Sequence, residues 1–450
     1  MMDLPFPVQT ALALLEAAGF EGFVVGGAVR DSVRGAPVTD WDIATSASPA
    51  QMHAVFSHYH LVETGIRHGT LTVWIDQTPL EITTYRQDGA YSDHRHPDSV
   101  RFTRSLSQDL ARRDFTINAL AYHPKTGLID LFGGLSDLAR GQIRCVGDPD
   151  RRFAEDGLRL LRAVRFASVL GMEVEPATAL ALHQNRRLLA CVSVERIQKE
   201  LTKMLCGQAA EPMLLSFPDL LAVPLPEILP MVGLDQKNPY HDKDVWAHTA
   251  AVVAAAPADP VLRWAALLHD VGKPSCFFTD ANGVGHFFGH NETGAQMADE
   301  ILSRLRFSTQ EKTRIVTLIR HHGTPLTGGA KQLKRMLHRL GEPVVRQLIA
   351  LQQADTSGQS PMGRGRLAAF AQINATLEAV LQEQACFSLR DLAINGNDLI
   401  ALGFQGKQVG DLLQACLQAV IEERLANDRA ALISFARGAA SPPSCAPTDK

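Results

Sequence analysis

Strand-length runs punctuate the first 150 positions, at Phe23-Val24-Val25, Asp42-Ile43-Ala44, Thr70 to Ile75, Leu80 to Tyr85 and Ile143 to Val146, with helical spacing between them. After Arg151 nearly all apolar positions recur with the helical period. This pattern predicts an α/β head over residues 1–150, followed by a mostly α-helical remainder. Pro218 to Pro230 interrupts the helical pattern and marks a boundary between a segment at 151–215 and another at 231–360. Thr356 to Arg366 reads as a loop, a further helical region follows at 361–438, and the small, polar, Pro-rich tail at 439–450 is expected to be disordered.

The head carries the densest chemistry. Gly26-Gly27 forms a tight turn between the strand at Phe23-Val24-Val25 and a helix from Ala28, and Asp40 and Asp42 follow at the start of the next strand. Residues i and i+2 of an extended segment project to one face, so these carboxylates can together grip a pair of divalent cations. The Gly26-Gly27 backbone can approach a triphosphate closely enough to donate N–H groups, and Arg30 meets its charge. Nucleotidyl transfer to a 3′-hydroxyl needs the hydroxyl activated and the departing pyrophosphate neutralised, and two metal ions about 4 Å apart do both. Glu81 is either a third carboxylate for this site or a charge on the open face of the sheet.

Gly26-Gly27-Ala28-Val29-Arg30-Asp31, the Asp40/Asp42 pair, Arg112 to Ala119 (RRDFTINA) and Glu155-Asp156-Gly157-Leu158-Arg159 resemble successive motifs of class II tRNA nucleotidyltransferases and bacterial poly(A) polymerases. The resemblance implies a polymerase-beta-like nucleotidyltransferase head, a nucleotide-selecting and RNA-binding neck at 151–215, Mg²⁺ at Asp40 and Asp42, and tRNA, CTP and ATP as partners. It makes Gly27, Arg30 and Arg113 triphosphate contacts, with Asp114 orienting the arginines rather than binding metal. The loop from Gln87 to Ser99 corresponds to the family's flexible loop that helps the site change from one nucleotide to the next; His94 and His96 within it need only be solvated.

Nucleotide choice is expected from Asp156 and Arg159, three apart and so neighbours on a helical face. Cytosine and adenine both present an amino donor beside a ring-nitrogen acceptor, which a carboxylate and a guanidinium complement, whereas guanine and uracil present the reverse. Arg162 and Arg165 continue that face toward phosphates or in support of Asp156. Gly157 departs from good helix formers and would loosen a continuous helix by about 1 kcal/mol relative to alanine.

A second constellation comprises His248, His269-Asp270 and Asp355, with His290, His321 and His322 between them. Mixed imidazole and carboxylate ligands of this kind suit a divalent metal of unspecified identity. The pattern resembles the histidine–aspartate (HD) phosphohydrolase superfamily and implies an HD domain over 231–360, with His248, His269, Asp270 and Asp355 as ligands and His290 and His321 as phosphate-facing or second-metal residues.

The net charge of −4 excludes a protein that coats nucleic acid by bulk charge, but Arg151, Arg152, Arg159, Arg162, Arg165, Arg186, Arg187, Arg196, Lys199 and Lys203 cluster after the head motifs. Lys331, Lys334, Arg335, Arg339 and Arg346 form a second group; each is either an RNA-phosphate surface or a solvated helix face. The seven cysteines are scattered without a C-x-x-C pair, which argues against a zinc site or disulfide framework. No apolar run reaches membrane-spanning length and Met1 to Pro5 lacks the start of a signal peptide, so the expected location is cytoplasmic. Four readings compete: complete CCA addition to tRNA, or CC-only or A-only addition; poly(A) synthesis; phosphate-ester hydrolysis, which can coexist with the first; and an RNA-binding module with a retired head.

Overall fold

The computed structural model describes residues 2–63, 65–66, 69–89, 99–382 and 386–439; His94 to Asp98 and the tail beyond Ala439 lie outside the described residues. Strands β1 (Gly22–Val25), β2 (Asp42–Thr45), β3 (His60–Val62), β4 (Thr70–Ile75) and β5 (Thr78–Thr84) join Leu120–His123 and Gly127–Asp130 in a seven-stranded sheet. Its order is β3-β4-β5-β2-β1, then Leu120–His123, then Gly127–Asp130. All pairings are antiparallel except β2 with β5, whose parallel register sets Asp42 opposite Glu81.

Strand alternation assigns the two faces. Val24, Ile43, Leu80 and Ile82 bury against Leu12 and Leu15 of the helix Phe6–Ala17 and Met52 of the helix Pro49–Val55. Phe23, Val25 and Ala44 point to the other face, where Tyr85, Leu110, Ala119 and Ala121 cover them. Asp42, two residues before Ala44, opens toward that second face at the first position of the interior strand β2 and lines one cleft with Arg112 and Arg113.

Two sequence expectations shift. Of Ile143 to Val146 only Ile143 lies in a strand, Gln142–Ile143, which pairs in parallel with Glu173–Val174. Beyond it the Arg144 carbonyl accepts from the Thr116 N–H, and Cys145 makes an isolated bridge to Phe115. The helix Glu342–Gly358 runs into the stretch read as a loop from Thr356, because the Thr356 and Ser357 hydroxyls donate back to the carbonyls of Gln352 and Ala354.

Contacts divide the chain into two compact units. The first comprises Met1–Val232, Ala258–Arg263 and Glu300–Ser308. The second comprises Gly233–Pro257, Trp264–Asp299 and Thr309–Lys450; its helices pack around Leu333, Ile349, Phe370 and Leu377, and around Leu399, Leu417, Ile421 and Leu432. Among the described residues, no helix is long and apolar enough to cross a membrane, and the six described cysteines are free.

The junction that positions the site is broken rather than helical. The helix Pro149–Glu155 stops at Asp156, whose backbone is extended (φ −143°, ψ 107°), and a new helix runs Leu158–Leu170. Asp156 and Arg159 therefore do not share a continuous helical face. Gly157 is not a helix-weakening residue either: a Cβ there would lie 2.7 Å from the Leu188 carbonyl oxygen, so close backbone approach requires glycine. Gly157→Ala is expected to cost about 1–3 kcal/mol by overpacking, measured by urea denaturation; a wild-type midpoint would show that the Leu188 segment yields freely.

Candidate functional site

A cleft of about 620 Å³ in the first unit gathers the predicted head residues. Gly26 ends β1 with φ +71°, a conformation that favours glycine, and a Cβ there would sit 2.9 Å from Nη1 of Arg113. The helix Gly27–Val33 starts immediately after it. Asp40 and Asp42 both line the cleft. Solvent reaches Asp42, yet crowding by protein and then the like charge of Glu81 raise its carboxyl pKa, against the pull of Arg113. Glu81 acts on Asp42 across the strand pair but is not among the lining residues.

The arginines are held by carboxylates, and the assignments differ from the sequence expectation. Asp109, buried, accepts from Nε and Nη2 of Arg112 (2.9 and 2.8 Å) and from Nη2 of Arg113 (3.4 Å). Asp114 instead accepts from Arg162 (2.8 and 2.5 Å), the Asn118 amide (3.1 Å) and the Phe115 N–H (2.8 Å). Burial alone would raise the Asp114 pKa, but Arg162 and these hydrogen bonds outweigh it and hold the carboxyl well below its usual range. Arg30 is tied to Asp31 (2.9 and 2.7 Å) and to the Asn118 side-chain Oδ1 (2.7 Å), so it contributes charge to the cleft more than a free donor fork.

Asp156 and Arg159 both reach the cleft, by separate routes. The Asp156 carboxylate caps the Leu158 N–H (3.0 Å) and accepts from Arg196 (2.9 Å), while Arg159 pairs with Glu155 (2.5 Å) and donates to the Arg152 and Arg112 carbonyls. Neither Arg162 nor Arg165 hydrogen-bonds Asp156; Arg165 pairs with Glu200 at 2.5 Å. Sequence reasoning missed Phe166, whose ring has the guanidinium carbons of Arg165, Arg30 and Arg162 at 3.7, 5.2 and 5.3 Å. It also missed the roles of Arg196, Glu200 and Lys203 as cleft lining on the helix Val194–Leu205; their i, i+4, i+7 spacing was the available signal.

Much of the remaining basic cluster is neutralised locally. Arg151 and Arg152 pair with Glu155, and Arg186 with Asp219. In the second group Lys334, Arg335 and Arg346 pair with Glu423, Glu422, and Glu342 and Glu378.

The second unit holds a separate cavity of about 370 Å³, lined by Asp270, His290, His322 and Asp355 among others. Two triads, His248/His269/Asp270 and Asp270/His290/His322, each bring one ligand atom per residue within 4.8 Å of the others, and Asp270 belongs to both. Asp355 Oδ1 lies 3.0 Å from His248 Nε2. His269, His290 and His322 each donate Nδ1–H to a backbone carbonyl, of Ala266, Phe287 and Ile319 (2.7, 2.7 and 2.6 Å), which leaves their Nε2 atoms as lone-pair donors. The buried His248 Nε2, His269 Nε2 and Asp270 Oδ2 make no hydrogen bond of good geometry; their near neighbours are Asp355 Oδ1 at 3.0 Å from His248, Asp270 Oδ2 at 3.1 Å from His269, and Lys273 Nζ at 2.7 Å from Asp270. A divalent cation would satisfy them, so this donor set fits a metal. Burial raises and His269 and Lys273 lower the Asp270 pKa, leaving it well below the usual carboxylate range. Burial pushes His322 down to about 4. His322, not His321, lies beside Asp270 and His290 in the second triad; His321 lines a different small cavity with Arg335 and Arg339.

Three family models match: the poly(A) polymerase head domain over residues 22–144, the probable RNA and SrmB-binding site of polymerase A over 171–230, and tRNA nucleotidyltransferase domain 2 over 287–436. The CCA-adding enzyme of Limosilactobacillus fermentum is 34% identical over 96% of both chains. That of Lactiplantibacillus plantarum is 35% identical over 97% of this chain and 98% of its own. The crystal structure of the Bacillus stearothermophilus CCA-adding enzyme in complex with CTP superposes with a TM-score of 0.72 at 29% identity, covering 97% of this chain and 98% of that one. Similarity sustained at this level over nearly the whole of both sequences means that the chain belongs to the CCA-adding enzyme family of tRNA nucleotidyltransferases.

Proposed function

We propose that this protein adds CCA to the 3′ end of tRNA from CTP and ATP, without a nucleic-acid template, in the cytoplasm. The observation that carries the reading is the convergence of Asp40, Asp42, Gly27, Arg113, Asp156 and Arg159 in one cleft. Asp40 and Asp42, with the charge of Glu81 beside them, would hold Mg²⁺, which when bound activates the 3′-hydroxyl and neutralises the leaving pyrophosphate. Arg113, held by only two long hydrogen bonds, is the arginine freest to turn toward the triphosphate. Gly27 leaves room for the phosphates, and Arg30 and Arg162 add positive potential from behind Phe166.

Base selection falls to Asp156 as acceptor for the amino group and Arg159 as donor to the ring nitrogen. The Asp156 carboxylate is orientated by Arg196 and by its own cap on Leu158. Family membership over nearly the full chain favours complete CCA addition over poly(A) synthesis or partial addition; incorporation of CTP excludes a poly(A) polymerase.

The convergence of imidazole nitrogens and carboxylate oxygens within 4.8 Å in the second unit favours an additional reading there, a phosphohydrolase dependent on a divalent metal held by His248, His269, Asp270 and Asp355, with His290 and His322 completing the second triad.

Asp40→Ala and Asp42→Ala are each expected to abolish nucleotide addition while leaving thermal stability and tRNA affinity nearly unchanged, read by primer extension and a gel-shift titration. Retained turnover in either variant would remove these carboxylates from the site. Asp156→Ala should lower the preference for CTP and ATP over UTP and GTP by about 5- to 150-fold, from one unsatisfied polar edge at roughly 1–3 kcal/mol. Arg196→Ala should shift the preference in the same direction, since it frees the same carboxylate. Measuring kcat/KM for all four nucleotides decides this; an intact preference in both variants places base reading elsewhere. His269→Ala and Asp270→Ala should eliminate metal-dependent phosphate-ester hydrolysis and spare CCA addition. Hydrolysis undiminished in both would sink the second reading.

A further inference from the structure

One cation in the cleft of the first unit is not committed to a carboxylate. Every arginine that lines the cleft is held by one, among them Arg165 by the buried Glu200 and Arg196 by Asp156. Lys203 lines the same cleft and is exposed, and its side chain has neither an ion pair nor a hydrogen bond among the described residues.

Helical spacing fixes where Lys203 stands. Arg196, Glu200 and Lys203 fall at i, i+4 and i+7 on one face of the helix Val194–Leu205. Arg196 holds the base-reading carboxylate of Asp156 at 2.9 Å. One turn on, Glu200 holds Arg165 at 2.5 Å, and the Arg165 guanidinium lies 3.7 Å from the centre of the Phe166 ring. Arg30 faces the same ring at 5.2 Å, and a Cβ at Gly27 would lie 3.6 Å from Nη2 of Arg30. Phe166 therefore marks the phosphate end of the cleft. From Arg196 to Lys203 the helix advances about 10 Å, away from the base and towards the phosphates, a span comparable with that of a nucleotide from its base edge to its last phosphate.

A lysine suits this place for a physical reason. The arginines present oriented charge, but each is fastened and cannot follow an anion out of the cleft. An ammonium on a flexible four-carbon stem can pair with a terminal phosphate and stay with it as pyrophosphate leaves. Asp40 and Asp42 already offset part of the charge of the cations they would hold, so the terminal phosphates keep negative charge for the protein to meet.

We infer that Lys203 is the contact for the terminal phosphate of the incoming nucleotide and for the departing pyrophosphate. The inference rests on the nucleotidyltransferase reading of the cleft and adds a binding residue to it. Lys203 touches the same phosphate before and after transfer, so it acts on CTP, ATP and pyrophosphate alike and takes no part in choosing the base.

Lys203→Ala should raise KM for CTP and for ATP about 10-fold, and the inhibition constant of pyrophosphate by the same factor, as expected for one hydrogen bond to a charged group. The values of kcat, the preference for CTP and ATP over UTP and GTP, and KM for tRNA should stay unchanged, because a contact made equally in the substrate and the transition state affects binding alone. Lys203→Arg, which keeps the charge, should retain most of the affinity. Lys199 is exposed on the same helix but does not line the cleft, so Lys199→Ala should leave pyrophosphate inhibition at its wild-type value. An unchanged pyrophosphate constant in Lys203→Ala, a loss confined to KM for tRNA, or an equal loss in Lys199→Ala overturns the inference.

A second readout needs no turnover. Pyrophosphate binding to the full-length protein in Ca²⁺, followed by calorimetry, should weaken about 10-fold in Lys203→Ala. If wild type adds no nucleotide to tRNA, the nucleotidyltransferase reading fails, while this titration still judges Lys203: a weakened affinity supports the phosphate contact and an unchanged one overturns it.

Discussion

A buried relay of hydrogen bonds ties the catalytic sheet to the helix that would read the base. Arg30, in the helix that follows the glycine turn, donates to Oδ1 of the Asn118 side chain; the Asn118 side-chain NH₂ donates to Asp114; and Asp114 receives Arg162 from the helix Leu158–Leu170. Each end is positively charged and the centre negatively charged, and Asp31 on Arg30 supplies the second negative charge that balances the two arginines. Losing one member of such a buried set leaves the others uncompensated, a cost of about 3–5 kcal/mol in comparable cases. It joins the helix after the glycine turn to the helix that follows Asp156, on two sides of the cleft that Asp40 and Asp42 also line.

The same economy governs the rest of the cleft. Its arginines are fastened by Asp31, Asp109, Asp114, Glu155, Asp156 and Glu200, so what lines the cavity is a framework of oriented cations rather than a loose basic patch. Preorganised charge of this kind acts on a phosphate without first having to order long side chains. Phe166 keeps three guanidinium groups around one ring, where repulsion among them is offset by the ring face.

The second unit solves a different problem with the same means. Three imidazoles are turned by backbone carbonyls so that their Nε2 atoms converge near a carboxylate shared by both triads. Burial disfavours charge on His290 and His322, which keeps them in the neutral form that ligates metal. Two donor sets, oxygen alone around Asp40 and Asp42 and nitrogen with oxygen around Asp270, thus lie in separate compact units, and they suit different divalent ions.

Local chemistry was legible from the residues themselves. The Asp40/Asp42 spacing, the glycine turn and the His269-Asp270 pair marked where candidate groups would gather, because strand alternation, turn stereochemistry and sequence adjacency act over two or three residues. Partner choice was not legible. That Asp109 rather than Asp114 holds Arg112 and Arg113, that Arg196 holds Asp156, and that His322 rather than its neighbour His321 faces Asp270 depend on which surfaces meet after folding. Asp156 and Arg159 illustrate the divide: helical spacing placed them on one face, while the structure breaks the helix at the extended Asp156 and requires glycine at the next position, where the Leu188 carbonyl passes too close for any side chain. The sequence by itself determined which groups were available for chemistry; only packing decided which of them were spent on one another and which were left to meet a substrate.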